Sequence, residues 1–202
     1  MTDNSENEKH KKYMQKQKAI VDAKIAAADR DESVVILLTG NGKGKSSSGF
    51  GMVMRCLGHG FNAGVVQFIK GAQQSGEALF LQQRCPDVPF YAMGTGFTWN
   101  TQDREADIAA AEKTWAAAEK MLGDESLHLV LLDELTYMLH YQYLDEAKVL
   151  NAIRQRPKNQ SVIVTGRGST PSLNELADTI ADIDDKKHAF KDGIKARLGV
   201  DY

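Results

Sequence analysis

VVILLTGNGKGKSS, residues 34–47, joins a run of aliphatic and β-branched positions to a turn rich in glycine and lysine. Six such residues in a row suit a strand covered on both faces. The turn ends in Gly44-Lys45-Ser46, the close of a Walker A loop, placed between a buried strand and a helix that starts near Lys45. Glycines let the backbone wrap until its N–H groups converge on phosphate oxygens, and the helix adds its positive N-terminal end. In that setting the Lys45 ammonium bridges phosphate oxygens and the Ser46 hydroxyl is a ligand for a divalent cation. The spacing departs from G-x-x-x-x-G-K-[ST] at one point, since Thr39 stands where the first glycine belongs. Gly40, Gly42, Lys43 and Ser47 make the loop glycine-rich and more basic, but differently built.

Working outward, five further short apolar runs follow: 63–70, 88–93, 127–132, 161–165 and 179–183. Helical stretches separate them, most clearly Asp103–Leu122 with its alanine-rich repeat of good helix formers. Strand–helix alternation of this kind predicts a parallel sheet with helices on both faces. The expected fold is therefore an α/β, three-layer P-loop NTPase (RecA-like) domain over residues 34–202, with a mainly parallel central sheet of about six strands. Residues 1–33 read differently: seven positive and seven negative charges, no proline and no glycine. Met14, Ile20, Val21, Ile25 and Ala28 give a thin apolar stripe, so this segment is expected to be a polar, amphipathic N-terminal helix.

Ligands of open parallel sheets bind at the carboxyl ends of the strands. The run at 127–132 leads there into Asp133-Glu134. An apolar strand closed by two carboxylates is a Walker B signature, a holder of Mg²⁺ directly or through water. In an NTPase, Glu134 would also be the base that activates water. Arg167, in Thr165-Gly166-Arg167-Gly168 after the fifth run, is placed to face the nucleotide. Arg55 either faces it from the helix after the loop or serves packing and surface, and Asn41 either contacts phosphate or ribose or shapes the turn.

Composition narrows the classes. With 25 Lys and Arg against 27 Asp and Glu, the net charge is −2, so no overall basic field points to nucleic acid. Cys56 and Cys85 form neither a disulfide framework nor a CxxC site. No N-terminal signal sequence and no membrane-length apolar run is visible, so a reducing, cytoplasmic setting is expected. The histidines at 10, 59, 128, 140 and 188 suggest no triad and no metal cluster.

After the third run lies Met93-Gly94-Thr95-Gly96-Phe97-Thr98-Trp99-Asn100-Thr101-Gln102. Two large aromatics in a loop of glycine and threonine at the ligand-binding edge either plug the core or meet a ligand. TGNGKGKS, RCLGHG, VVQFIKG, GTGFTW, VLLDELTY, VTGRG and KHAFKDGIKARLGVDY occur in this order. Together they closely resemble the P-loop-type ATP:corrinoid (cob(I)alamin) adenosyltransferases, from the N-terminal helix to Tyr202. Ser46 stands where these enzymes often carry threonine, which keeps the hydroxyl.

The resemblance implies transfer at carbon rather than at phosphorus. A Co(I) corrinoid attacks C5′ of ATP, its co-substrate, and inorganic triphosphate leaves, with Mg²⁺ (or Mn²⁺) as the metal. Co(I) is itself a strong nucleophile, so the protein need only align C5′ with cobalt and stabilise the departing charge. It further implies that the nucleotide lies with its terminal phosphate deepest in the loop, that Lys45 steadies the leaving group, and that Phe97 and Trp99 displace the lower axial ligand of cobalt. A flavodoxin-like reduced flavoprotein as electron donor, a homodimer, and an N-terminal helix that lids the active site are implied in the same way. Two rivals share the nucleotide motifs: an ATPase or recombinase-like motor with Glu134 as base, and a non-enzymatic corrinoid carrier or sensor that binds ATP as an effector.

Overall fold

The computed structural model describes residues 3–69, 74–94 and 103–201. Two compact units divide the chain, Met1–Glu32 and Ser33–Tyr202. The first is helix α1, Asp3–Ala27. Tyr13, Met14, Ile20, Val21 and Ile25 on α1 are all exposed.

The second unit is built on six strands: β1 Val35–Thr39, β2 Ala63–Gln67, β3 Phe90–Ala92, β4 Leu129–Asp133, β5 Ser161–Thr165 and β6 Thr179–Asp182. They pair in the order β3-β2-β4-β5-β1-β6, and every pairing is parallel. Each of the six apolar runs of the sequence thus became a strand.

Alternation along the strands feeds two cores, because successive side chains point to opposite faces. On one face Leu37, Val130, Leu132, Val162 and Val164 pack with Phe68 and Trp115. On the other, Leu38, Val65, Leu131 and Ile163 pack with Phe50, Val53 and Leu81. Helices α2 (Lys45–Gly58) and α3 (Gly76–Arg84) supply the second face. Helices α4 (Arg104–Leu122), α5 (Leu135–His140), α6 (Glu146–Arg154) and α7 (Pro171–Leu176) supply the first. The result is three layers, helix–sheet–helix, as the alternation predicts.

Helix starts follow local chemistry. Asp103 caps α4 by accepting from Ala106 N, Asp145 caps α6, and Thr170 caps α7 ahead of Pro171. Helices α2 and α5 lack such a cap: Glu134 before α5 makes no capping bond, and Gly44 before α2 offers no side chain to the first-turn amides of α2. Those amides are left to whatever anion the loop receives.

Candidate active site

The carboxyl ends of β1, β2, β4 and β5 converge at the start of α2, and the polar residues of the site sit on those ends. Lys45, the first residue of α2, is 6% exposed. Its Nζ donates to Gly42 O at 2.7 Å, so the ammonium lies under the glycine loop. Burial lowers the Lys45 pKa and Arg167 adds to that, while Glu134 and Asp133 oppose it and favour the cation.

Asp133 is the last residue of β4 rather than the residue after it, and is buried. Thr165 Oγ1 donates to its Oδ1 at 2.7 Å and Gln67 Nε2 to its Oδ2 at 3.0 Å. Ser46 also hydrogen-bonds this carboxylate. Burial pushes the Asp133 carboxyl up, against these three hydrogen bonds. A hydroxyl whose proton is committed to Asp133 keeps its lone pairs for a cation. Asp133 therefore orients Ser46, and both of its oxygens already have protein donors.

Glu134 follows in a left-handed conformation, φ 61°, a costly choice for a non-glycine residue. Its amide donates to Thr165 Oγ1 at 2.9 Å, so one threonine fixes both members of the acidic pair. The Oε2 atom of Glu134 is buried without a hydrogen-bond partner. Burial, then the neighbouring Asp133 charge, push its carboxyl up to about 7, while Lys45 and Arg167 pull the other way. A buried carboxylate oxygen without a donor, beside an oriented hydroxyl, fits a divalent cation. Among the described residues no group of three His, Cys, Asp or Glu side chains could hold a metal. A nucleotide-bound Mg²⁺ takes most of its oxygens from phosphate and water, so it does not require such a group.

The Glu134 shift carries a stability consequence. A carboxyl whose folded pKa lies above its unfolded value favours folding most below about 4.5 and loses that contribution as pH rises through about 7. In protein free of nucleotide and metal, Glu134→Gln should therefore match the parent near pH 4.5 and exceed it by about 3 kcal/mol above pH 7. Urea midpoints at the two pH values check this; parallel curves for parent and variant would contradict it.

Two glycines show why this loop is built differently. Gly40 has φ +94°, and a Cβ there would fall against Asp182 Oδ1 and 2.5 Å from Ile183 O. A Cβ on Gly42 would meet Asp184 O at 2.6 Å and Ile183 O at 2.7 Å. Gly42 N donates to Ile183 O at 2.6 Å, and Ile183 N donates to Thr39 O at 2.9 Å. The chain leaving β6 thus clasps the loop from below. Thr39, at the position of the missing first glycine, is the last residue of β1 and pairs with Asp182. The wrap begins one residue later, at Gly40.

Of the residues singled out from sequence, the structure brings together Gly40, Gly42, Lys43, Gly44, Lys45, Ser46, Asp133 and Glu134, with Asn41 and Ser47 exposed at the rim. The charge of Arg167 is felt by Lys45 and Glu134, and its backbone carbonyl accepts from Thr136 Oγ1 at 3.1 Å. Lys43 extends outward and pairs with Asp201 at 2.9 Å. Arg55 lies exposed in the last turn of α2, about 15 Å along the helix from Lys45 at 1.5 Å per residue. Phe97 and Trp99 lie outside the described residues. Sequence reasoning missed Gln67, Thr165 and the 182–184 clasp; a polar residue closing an apolar strand was the available signal for the first two.

Comparison with known proteins bears directly on this arrangement. A family model for the ATP:corrinoid adenosyltransferases BtuR/CobO/CobP matches residues 31–202, and one for the cob(I)alamin adenosyltransferase N terminus matches residues 1–25. The chain belongs to the ATP:corrinoid adenosyltransferase family. A corrinoid adenosyltransferase of Pseudomonas aeruginosa is 50% identical over 196 residues, which cover 97% of each chain. That of Escherichia coli K12 is 47% identical over 97% of this chain and 99% of its own. One from Sinorhizobium sp is 42% identical over 96% and 92%.

Proposed function

We propose that the protein transfers the 5′-deoxyadenosyl group of ATP to the Co(I) centre of a corrinoid and releases triphosphate, in the formation of adenosylcobalamin. The observation that carries this reading is the pairing of Lys45 and Arg167 with a fixed carboxylate pair at the glycine loop, in a chain of this family. Such a site is built to hold a polyphosphate and to stabilise the charge it gains on leaving. Gly40, Asn41, Gly42, Lys43, Gly44 and Ser47 cradle the phosphates, Lys45 faces the leaving oxygen, and Arg167 adds a second cation.

Ser46 and Glu134 would hold the Mg²⁺ (or Mn²⁺), with Asp133 orienting Ser46. The metal supplies charge neutralisation on the phosphate oxygens. The protein needs no base for this reaction, because the corrinoid brings the nucleophile. Glu134 is accordingly a ligand rather than the activator of a water.

Phe97 and Trp99 form an apolar wall against the lower face of the corrin. Removing the lower axial ligand makes Co(II) easier to reduce, and excluding water protects Co(I). A reduced flavoprotein supplies the electron, the protein works in the cytoplasm, and residues 1–33 serve as a lid within a homodimer. Trp99→Ala is expected to lower the rate that starts from Co(II) and flavoprotein at least tenfold more than the rate from chemically prepared Co(I). Equal losses in the two assays would make Trp99 a packing residue.

The deciding experiment is anaerobic incubation of protein, MgATP and chemically reduced cobalamin, followed by absorbance. A light-sensitive adenosylated product with one triphosphate per turnover is expected. ADP and phosphate formed without corrinoid would instead favour the motor-like ATPase.

A further inference from the structure

Beside the nucleotide end of the site lies a cavity of about 320 Å³ between α2, α3 and the C-terminal segment. Its apolar wall includes Phe50, Met54 and Phe80, and Ser47, Glu77 and Asp201 bring polar atoms to it. Ser47 directly follows the loop hydroxyl Ser46, so anything in this cavity abuts the bound polyphosphate. A reaction that joins cobalt to the nucleotide's sugar needs its second substrate on such a neighbouring surface. A volume of this size takes an edge of a tetrapyrrole rather than the whole ring.

The two carboxylates differ in kind. Asp201 is neutralised: Lys43 Nζ lies 2.9 Å from Oδ1, and Arg197 N donates to Oδ2 at 2.8 Å. Glu77 has only a long hydrogen bond from Ser47 Oγ, at 3.4 Å. Among the described residues, no lysine or arginine lies within ion-pair distance of it. Glu77 is half-buried at this wall. An apolar wall with one uncompensated acceptor matches a corrin edge, which carries methyl groups and amide arms. Amide N–H groups donate to a carboxylate, whereas a free carboxylate arm meets like charge in a partly desolvated place.

We infer that the cavity between α2, α3 and the C-terminal segment receives the arm-bearing edge of the corrinoid, and that Glu77 there selects corrinoids whose peripheral carboxyls are amidated over those with free carboxylates. This rests on the adenosyl-transfer reading only for the identity of the ligand, and its test is independent of turnover.

The test is equilibrium dialysis of the full-length protein, with MgATP, against cobinamide (fully amidated) and cobyrinic acid a,c-diamide (most carboxyls free), both read by absorbance. The parent should bind cobinamide about tenfold more tightly or better. Glu77→Gln keeps an acceptor and removes the charge, so the ratio of the two Kd values should fall about tenfold, through tighter binding of the carboxylated ligand. Met54→Lys, which adds a cation to the opposite wall, should lower the ratio in the same direction. A purely structural role for Glu77 would move both Kd values together, and that result, or a parent ratio near one, overturns the inference. If dialysis shows the expected ratios yet neither corrinoid is adenosylated, the adenosyl-transfer reading fails and the selective pocket stands.

Discussion

Lys45→Ala is expected to lower adenosyl transfer from chemically prepared Co(I) by about 10²–10³-fold at saturating ATP. The magnitude follows from where the ammonium sits. It is buried, held under the loop by Gly42 O at 2.7 Å, and the nearby Glu134 and Asp133 carboxylates favour its cationic form against the burial that lowers its pKa. A fixed cation in a partly dry site needs no reorganisation as charge builds on the departing oxygen, so its removal falls mainly on the transition state. kcat should therefore drop far more than the affinity for ATP. Lys45→Arg is not expected to restore the rate, because a planar guanidinium does not fit the space under a tight loop. Initial rates under anaerobic conditions check this, and activity within about threefold of the parent would remove Lys45 from its assigned role.

The second large effect concerns the clasp beneath the loop. Gly40→Ala is expected to destabilise the protein by about 3 kcal/mol and to weaken ATP binding more than tenfold. Two costs combine: a left-handed backbone that an L side chain resists, and a methyl group driven against Asp182 and the Ile183 carbonyl. Backbone neighbours cannot swing aside as a flexible side chain would. The loop must lift, which breaks the bond from Gly42 N to Ile183 O. Gly51 provides the control, since it is exposed in α2 with open space around its Cβ position. Gly51→Ala should leave ATP binding unchanged and raise stability by about 0.5–1 kcal/mol through helix propensity. Urea unfolding and nucleotide titration of the two variants separate loop strain from a general effect of adding a methyl.

These expectations show which parts of the molecule were legible beforehand. All six strands were readable as short apolar runs; β1, β2, β4 and β5 are covered on both faces and have no polar side to interrupt them, while the edge strands β3 and β6 are half-buried and exposed. The helical stretch at 103–122 was equally plain, though the structure makes Asp103 its cap rather than its first residue. Lys45, Ser46, Asp133 and Glu134 could be named because their chemistry is local to one turn or one strand end. Contacts made across the chain were not legible. Thr165 serves both Asp133 and Glu134 from another strand, Ile183 completes the phosphate loop from the far side of the sheet, and Asp201 pairs with Lys43. Each looks ordinary in its own stretch of sequence.

The strand order has a consequence for how the polypeptide is made. Strand β1 carries the phosphate loop, yet both its neighbours, β5 and β6, come from the last quarter of the chain. At ordinary translation speeds, on the order of ten seconds pass before those partners leave the ribosome. Throughout that interval the aliphatic segment 34–38 has no lateral hydrogen bonds to fill. The nascent polypeptide should therefore depend on chaperone shielding until β5 emerges, and fragments ending before residue 161 should precipitate rather than fold.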